Sequence, residues 1–268
     1  MGLGPPLTAR QVEHLRRLML WWTLMADLSF SDLLLFLRAS AHDVEQFVIA
    51  GQVRAGTGRT LYRDDHVGVL VSGDERPFVA AALAKGTIQT GEVRLVPTRA
   101  QALVMSIPVL CDGEVIAALS REVAPDFADR PDFGNLERNY LDAFVALADM
   151  VAAGEFPYPV DDGRPVDPLE HDDDFEHGEV PRVGDGMMVV NGDDEVTFAS
   201  PNAVNALHRT GVLGNIEGRR LDEVGMAEGK LAPPRPAAAP VTTDLERNDA
   251  VVQVTALPLG VPVAGRGA

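Results

Sequence analysis

QALVMSIPVLCDGEVIAALSRE, residues 101–122, consists of two apolar runs of matching length on either side of Cys111-Asp112-Gly113. Asp-Gly between such runs is a strong hairpin signal, because the tightest hairpin turns need positive φ, which Gly and Asp tolerate better than other residues. Two paired strands are therefore expected here. They are the most clearly specified unit in the first half of the chain.

Upstream, Thr8 to about Ser29 has helical spacing, with Val12, Leu15, Met19, Trp22, Met25 and Ala26 on one stripe and Thr8 placed as N-cap. Leu33 to Ala39 reads as a strand buried on both sides, and Gln46 to Ala50 as a second one. Residues 54–60, RAGTGRT, read as loop, and residues 64–77 hold a short apolar run ending in Gly-Asp. Pro77-Phe78 opens a helix that runs to Leu83 or Ala84, where Lys85-Gly86 supplies a cation and then a glycine at its end. Downstream of the hairpin, Gly134 to Ala153 is a long amphipathic helix with Leu136, Tyr140, Phe144, Leu147 and Val151 on one face, closed by Gly154. The two long helices could pack on each other within one chain or between two copies.

Residues 155–182 change character: prolines recur, acids dominate and apolar residues are sparse. They read as a linker extended by self-repulsion. A second unit begins near Val183. Met187 to Val190 and Glu195 to Phe198 form strands around the turn Asn191–Asp194, and Ser200-Pro201 opens a capped helix over 201–209. The stretch 228–240, EGKLAPPRPAAAP, looks unstructured, and two strand-like runs follow at 241–246 and 250–257.

The 268 residues carry a net charge of −17, which argues against nonspecific attraction to nucleic acid or to an anionic membrane. Residues 18–37 are apolar but contain Asp27 and Asp32, whose cost in a bilayer favours a buried helix followed by a strand. The N-terminus lacks a basic segment followed by an apolar core, so a cytoplasmic location is expected. A single cysteine, Cys111, excludes an intrachain disulfide, and its neighbours Asp112 and Glu114 blunt its reactivity. His171 and His177 stand among five carboxylates at 170–177, the ligand types of a divalent metal, but a proline-flanked acidic linker offers no scaffold for them. His14, His42, His66 and His208 are scattered. Arg219-Arg220 is read as a pair of surface ion-pair partners. No catalytic or metal-binding residue is assigned, and no cofactor. Met187, Met188, Phe198 and Leu207 could line a ligand cavity, and they would equally serve as the core of a small sheet and helix.

Residues 185–224, DGMMVVNGDDEVTFASPNAVNALHRTGVLGNIEGRRLDEV, resemble a PAS domain in the order strand, Asn-Gly turn, strand, Ser-Pro helix start, Gly-rich turn. Residues 107–120, IPVLCDGEVIAALS, resemble the late strand–turn–strand of GAF-like modules. LMADLSFSDLLLFLR (24–38), GEFP (154–157), the 184–211 block and TALPL (255–259), in that order, resemble the N-terminal sensor half of the PdtaS-like actinobacterial cytosolic sensor histidine kinases. The resemblance implies an α+β chain of two sensor domains, each a central antiparallel sheet flanked by helices. Their bounds would be 1–154 (GAF-like), 155–182 (linker) and 183–268 (PAS-like, incomplete at its end). It also implies a non-catalytic signal-input role, a homodimer, a kinase region beyond residue 268 and a response regulator reached through it. A small-molecule ligand is compatible with this reading; nucleic acid and membrane are not expected partners. The GAF-like part lacks the Asn-Lys-Phe-Asp-Glu set of cyclic-nucleotide binders, so no ligand is carried over. The proline-rich 228–240 stretch stands where a PAS domain carries a pocket-lining helix. The alternative is a stand-alone regulatory or protein-interaction module.

Overall fold

The computed structural model describes residues 6–39, 45–96, 100–128, 134–158, 182–226 and 240–260. Helix α1 (Ala9–Ser29) starts at a capping box: the Gln11 amide donates to Thr8 Oγ1 at 3.2 Å, and the Thr8 amide donates to Gln11 Oε1 at 2.9 Å. Phe30 ends the helix with a φ of 53°. There follow β1 (Asp32–Ala39), β2 (Gln46–Val53), β3 (Leu70–Ser72), α2 (Pro77–Lys85), β4 (Gln89–Arg94), β5 (Gln101–Cys111), β6 (Glu114–Val123), the short α3 (Pro125–Ala128) and α4 (Asn135–Ala153). The strands form one antiparallel sheet in the order β3-β2-β1-β6-β5-β4. The quoted hairpin supplies two of its inner strands, and its turn residues Asp112 and Gly113 both have positive φ, 52° and 81°.

Both faces of the sheet are covered, which explains the unbroken apolar run in β1. Leu33 and Leu35 face α1 and α4 together with Ile107, Val109, Ala117 and Leu119. Leu34 and Phe36 face α2 together with Phe47, Val104 and Ala118. Arg121 passes under α4 with its guanidinium 5.7 Å from the Phe144 ring centroid, and it donates to the Ser29 carbonyl at the end of α1 at 3.2 Å. A cation at a helix C-terminus complements its dipole.

In the second part of the chain a 3-10 turn (Val183–Asp185) leads to β7 (Met188–Val190), β8 (Val196–Ala199), α5 (Pro201–Arg209), β9 (Val241–Arg247) and β10 (Ala250–Ala256). The β7–β8 turn is held by Asn191 Oδ1, which accepts from the amides of Asp193 and Glu195 at 3.0 Å each. Ser200 caps α5 by accepting from Ala203 at 3.4 Å, and it also ties in the Met187 amide at 2.9 Å. Asn248 and Asp249, both at positive φ, turn β9 into β10. Val196, Leu207, Val212, Ile216, Val224 and Met226 form this part's own core.

Two sequence readings change, and one open alternative is narrowed. Strand β4 carries alternating exposure and no apolar run, so nothing in its composition announced it. Gly91 within it lies where a Cβ would stand 2.1 Å from the Phe78 ring, so the strand is shaped by the helix above it. Phe156 and Tyr158, which the sequence places in the acidic linker, are packed into the α1–α4 core. The two long apolar stripes are satisfied within one chain, α1 and α4 packing side by side in that core.

A Cβ on Gly58 would stand 2.2 Å from the Phe30 carbonyl oxygen, a backbone atom that cannot swing aside. Gly58→Ala is expected to cost about 1–3 kcal/mol. Gly192→Ala, where nothing lies within 4 Å, should shift stability by less than about 0.5 kcal/mol. Urea unfolding of the two variants checks this pair.

Candidate functional site

Asp27 and Asp32, which in the sequence merely disqualified a membrane span, organise the loop after β2. Asp27 Oδ1 accepts from the Gly56 amide at 2.6 Å, and the Asp27 carbonyl accepts from Thr57 Oγ1 at 2.7 Å. Asp32 Oδ2 accepts from the Leu61 amide at 2.6 Å and from Thr60 Oγ1 at 2.9 Å. This loop delivers Tyr62, which has no exposed surface, to the α2 face of the sheet. Arg76, immediately before α2, reaches the same place. Its Nη1 donates to Glu122 Oε1 at 2.9 Å, and its Nη2 donates to Tyr62 Oη at 3.1 Å and to the Val96 carbonyl at 3.3 Å. The Tyr62 hydroxyl donates to Glu122 Oε2, and Ser120 Oγ to Glu122 Oε1 at 3.0 Å. The Phe36 ring centroid lies 5.3 Å from the guanidinium carbon.

Arg76 and Glu122 are 3% and 1% exposed, so their pairing operates in a low-dielectric interior where removing one partner is costly. Burial works against the charged Arg76, but Glu122 and Tyr62 outweigh it and raise its pKa. Burial pushes the Tyr62 hydroxyl far above its ordinary range, and Glu122 adds to the shift. Burial also raises the Asp32 carboxyl, against the hydrogen bonds from Leu61 and Thr60. Arg76 Nε, Asp32 Oδ1 and Ser106 Oγ are buried without a hydrogen-bond partner. A cavity of about 10 Å3 lies between Arg76, Phe78, Val79, Val93, Val104, Ser120 and Glu122, room for about one water. In this conformation the face holds a polar tie between loop, helix and sheet. What the arrangement can do is hold α2 and the 54–62 loop in one position relative to β6.

The four residues expected to line a cavity are divided between two cores. Met187 and Phe198 pack with α1 and α4, while Met188 and Leu207 belong to the second part's own core. The division follows from pairing. Val189 lies opposite Phe198 and Met188 opposite Ala199, and a bulge between Val189 and Val190 then returns Val196 to the inner side. Phe198 meets Tyr140 of α4 edge to face, with ring centroids 6.3 Å apart.

Cys111 is buried; burial raises its thiol pKa and Asp112 adds to that, as its acidic neighbours led one to expect. Arg219 pairs with Glu223 at 3.7 Å and Arg220 with Asp222 at 3.5 Å, all at the surface. His208 is exposed on α5. His171 and His177 lie outside the described residues, among which no group of three or more His, Cys, Asp or Glu could hold a metal ion. The Arg76–Glu122–Tyr62 tie was missed because its members lie far apart in sequence. A signal was present: Ala118, Ser120 and Glu122 share one side of β6, so an inward-facing strand row ends on a carboxylate that must find a cation.

Glu122→Leu and Arg76→Met are each expected to cost about 3–5 kcal/mol, while the double variant Arg76→Met/Glu122→Leu should cost clearly less than their sum. Urea unfolding of the three proteins tests the cycle. Asp32 has a raised folded pKa, so folding takes up a proton and its contribution falls as pH rises upward from the unfolded value of 3.8. The stability of Asp32→Asn relative to wild type should therefore improve between acid pH and neutrality, measured by unfolding across that range.

A family model described as "Histidine kinase PdtaS, GAF domain" matches residues 4–144. The sensor histidine kinase PdtaS of Mycolicibacterium smegmatis is 34% identical over 218 residues, covering 80% of this chain and 40% of that protein. PdtaS of Mycobacterium tuberculosis is 33% identical over 219 residues with the same coverage. A solved sensor region of a sensor histidine kinase superposes with a TM-score of 0.72 at 28% identity, over 98% of this chain and 91% of that one. The chain spans about two fifths of the length of the curated relatives it matches. Among the described residues no helix is long and apolar enough to cross a membrane. With residues 4–144 matched, and the same residues folded as a six-stranded antiparallel sheet flanked by helices, the chain belongs to the family of the histidine kinase PdtaS GAF domain.

Proposed function

We propose that this chain is the signal-input region of a cytosolic two-component histidine kinase, non-catalytic itself and regulating autophosphorylation of a kinase region in the part of its relatives that it does not span. The observation that carries the reading is the pair of coverages: nearly all of this chain superposes on a solved sensor region, yet it matches only 40% of the relatives' length. The first part, residues 1–154, is the GAF-like sensor. Residues 183–268 are a PAS-like second sensor, a reading supported by the order hairpin, capped helix, second hairpin. The protein works as a homodimer and passes phosphate to a response regulator through the kinase region.

Signalling by such a region requires a stimulus that interacts differently with two arrangements of the helices. The tight α2 face argues that a small-molecule ligand entering between α2 and the sheet would displace the 54–62 loop or α2. In the second part, Met188 and Leu207 remain the candidate pocket residues on the inner side, and Met187 and Phe198 serve the contact with α4.

The test is a phosphorylation assay. The chain, and the same chain extended by its own downstream gene sequence, are incubated with ATP labelled at the γ-phosphate. Acid-labile label is expected on the extended protein and not on residues 1–268 alone. An extended protein that takes up no label, or a stop codon directly after residue 268, would overturn the kinase reading.

A further inference from the structure

After β10 the chain leaves the second part and lies on the first. Leu257 packs into the core built by α1, α4 and the sheet. The buried Tyr158 hydroxyl donates to the Pro258 carbonyl at 2.7 Å, and the Gly260 amide donates to Met150 Sδ at 3.2 Å. Tyr158 in turn stands edge-on to Phe156 at 5.1 Å and to Trp21 of α1 at 6.5 Å, and Trp21 is 6.2 Å from Phe156. Three segments distant in sequence thus meet at one aromatic corner: the first helix, the end of α4, and Leu257–Gly260.

Helix α4 carries both contacts with the later sequence. Tyr140 touches Phe198 of the β7–β8 hairpin, and Met150, about 15 Å further along the axis, holds Gly260. A shift or rotation of α4 would therefore move hairpin and outgoing segment together. Tyr158 is 2% exposed with the segment seated, so its hydroxyl depends on the Pro258 carbonyl as acceptor, and release of the segment breaks that buried hydrogen bond.

We infer that the corner of Trp21, Phe156, Tyr158 and Met150 is a clasp through which the first sensor part holds the outgoing segment Leu257–Gly260 and controls the sequence that follows it. Tyr158 is its positioning residue. The control of a following kinase rests on the function proposed above; the clasp itself does not.

The test uses Tyr158→Phe, which keeps the ring and removes only the donor. Amide hydrogen exchange on the 268-residue chain should be at least about tenfold faster across Leu257–Gly260 in the variant, with the β5–β6 hairpin unchanged. Unchanged exchange at Leu257–Gly260 would overturn the clasp, whatever follows the chain. The same variant in the extended protein should change the rate of autophosphorylation at least about threefold. Faster exchange with an unaltered rate, in a wild type that does label, would overturn the control role. An extended wild type that does not label sinks the kinase reading instead and takes the control role with it, while the exchange result still decides the clasp. A second variant, Met150→Leu, keeps the packing and removes the sulfur acceptor; it should accelerate exchange at Gly260, and no acceleration would count against the clasp.

Discussion

Helix α4 needs cover on more than one side, and the architecture follows from that. Tyr140, Ala143, Phe144, Ala146, Leu147, Ala148, Met150 and Val151 are all buried. They occupy too much of the helix circumference for a single sheet face to hide. The sheet takes one side through Ile107, Val109 and Leu119, and α1 takes another. The remainder is closed by residues from the far end of the chain: Val183, Met187, Val189, Phe198 and Leu257. Val183 and Phe198 are fully buried there, each such side chain contributing about 1.5–3 kcal/mol, and Met187, Val189 and Leu257 are buried in part; a two-stranded hairpin by itself is marginal in water. The second part leans on the first for its position.

The opposite face of the sheet obeys a different rule. There the apolar core of Leu34, Phe36, Phe47, Val104 and Ala118 also encloses an ion pair and a tyrosine hydroxyl closed off from water, with Asp27 and Asp32 holding the loop that brings the tyrosine in. Such a tie adds little net stability compared with apolar packing, but it tolerates only one arrangement of loop, helix and strand. The two faces therefore suit different tasks. The α2 face sets the conformation of the first sensor part, and the α4 face connects that part to everything downstream.

Much of this was legible in the sequence, and the limits have physical causes. The Asp-Gly hairpin, the Thr8 and Ser200 caps, the Lys85-Gly86 terminus and the apolar run of β1 all rest on local chemistry, and each stands where local chemistry put it. Strand β4 was silent because an edge strand with alternating exposure needs no apolar run. Phe156 and Tyr158 were read as linker because composition averaged over 28 residues hides two aromatics that enter a core. The supposed cavity residues are divided between two cores, since successive residues of a strand face opposite sides, which sends Met187 one way and Met188 the other. The Arg76–Glu122–Tyr62 tie and the Tyr158–Pro258 contact span 46 to 100 positions, a distance over which spacing carries no information.

Through α4 the two parts form one mechanical unit. Differential scanning calorimetry of the 268-residue chain tests it most directly. A single transition is expected, with calorimetric and van't Hoff enthalpies that agree, and the whole transition should shift downward in Phe198→Ala. Two separate transitions, with Phe198→Ala moving only the smaller one, would contradict it.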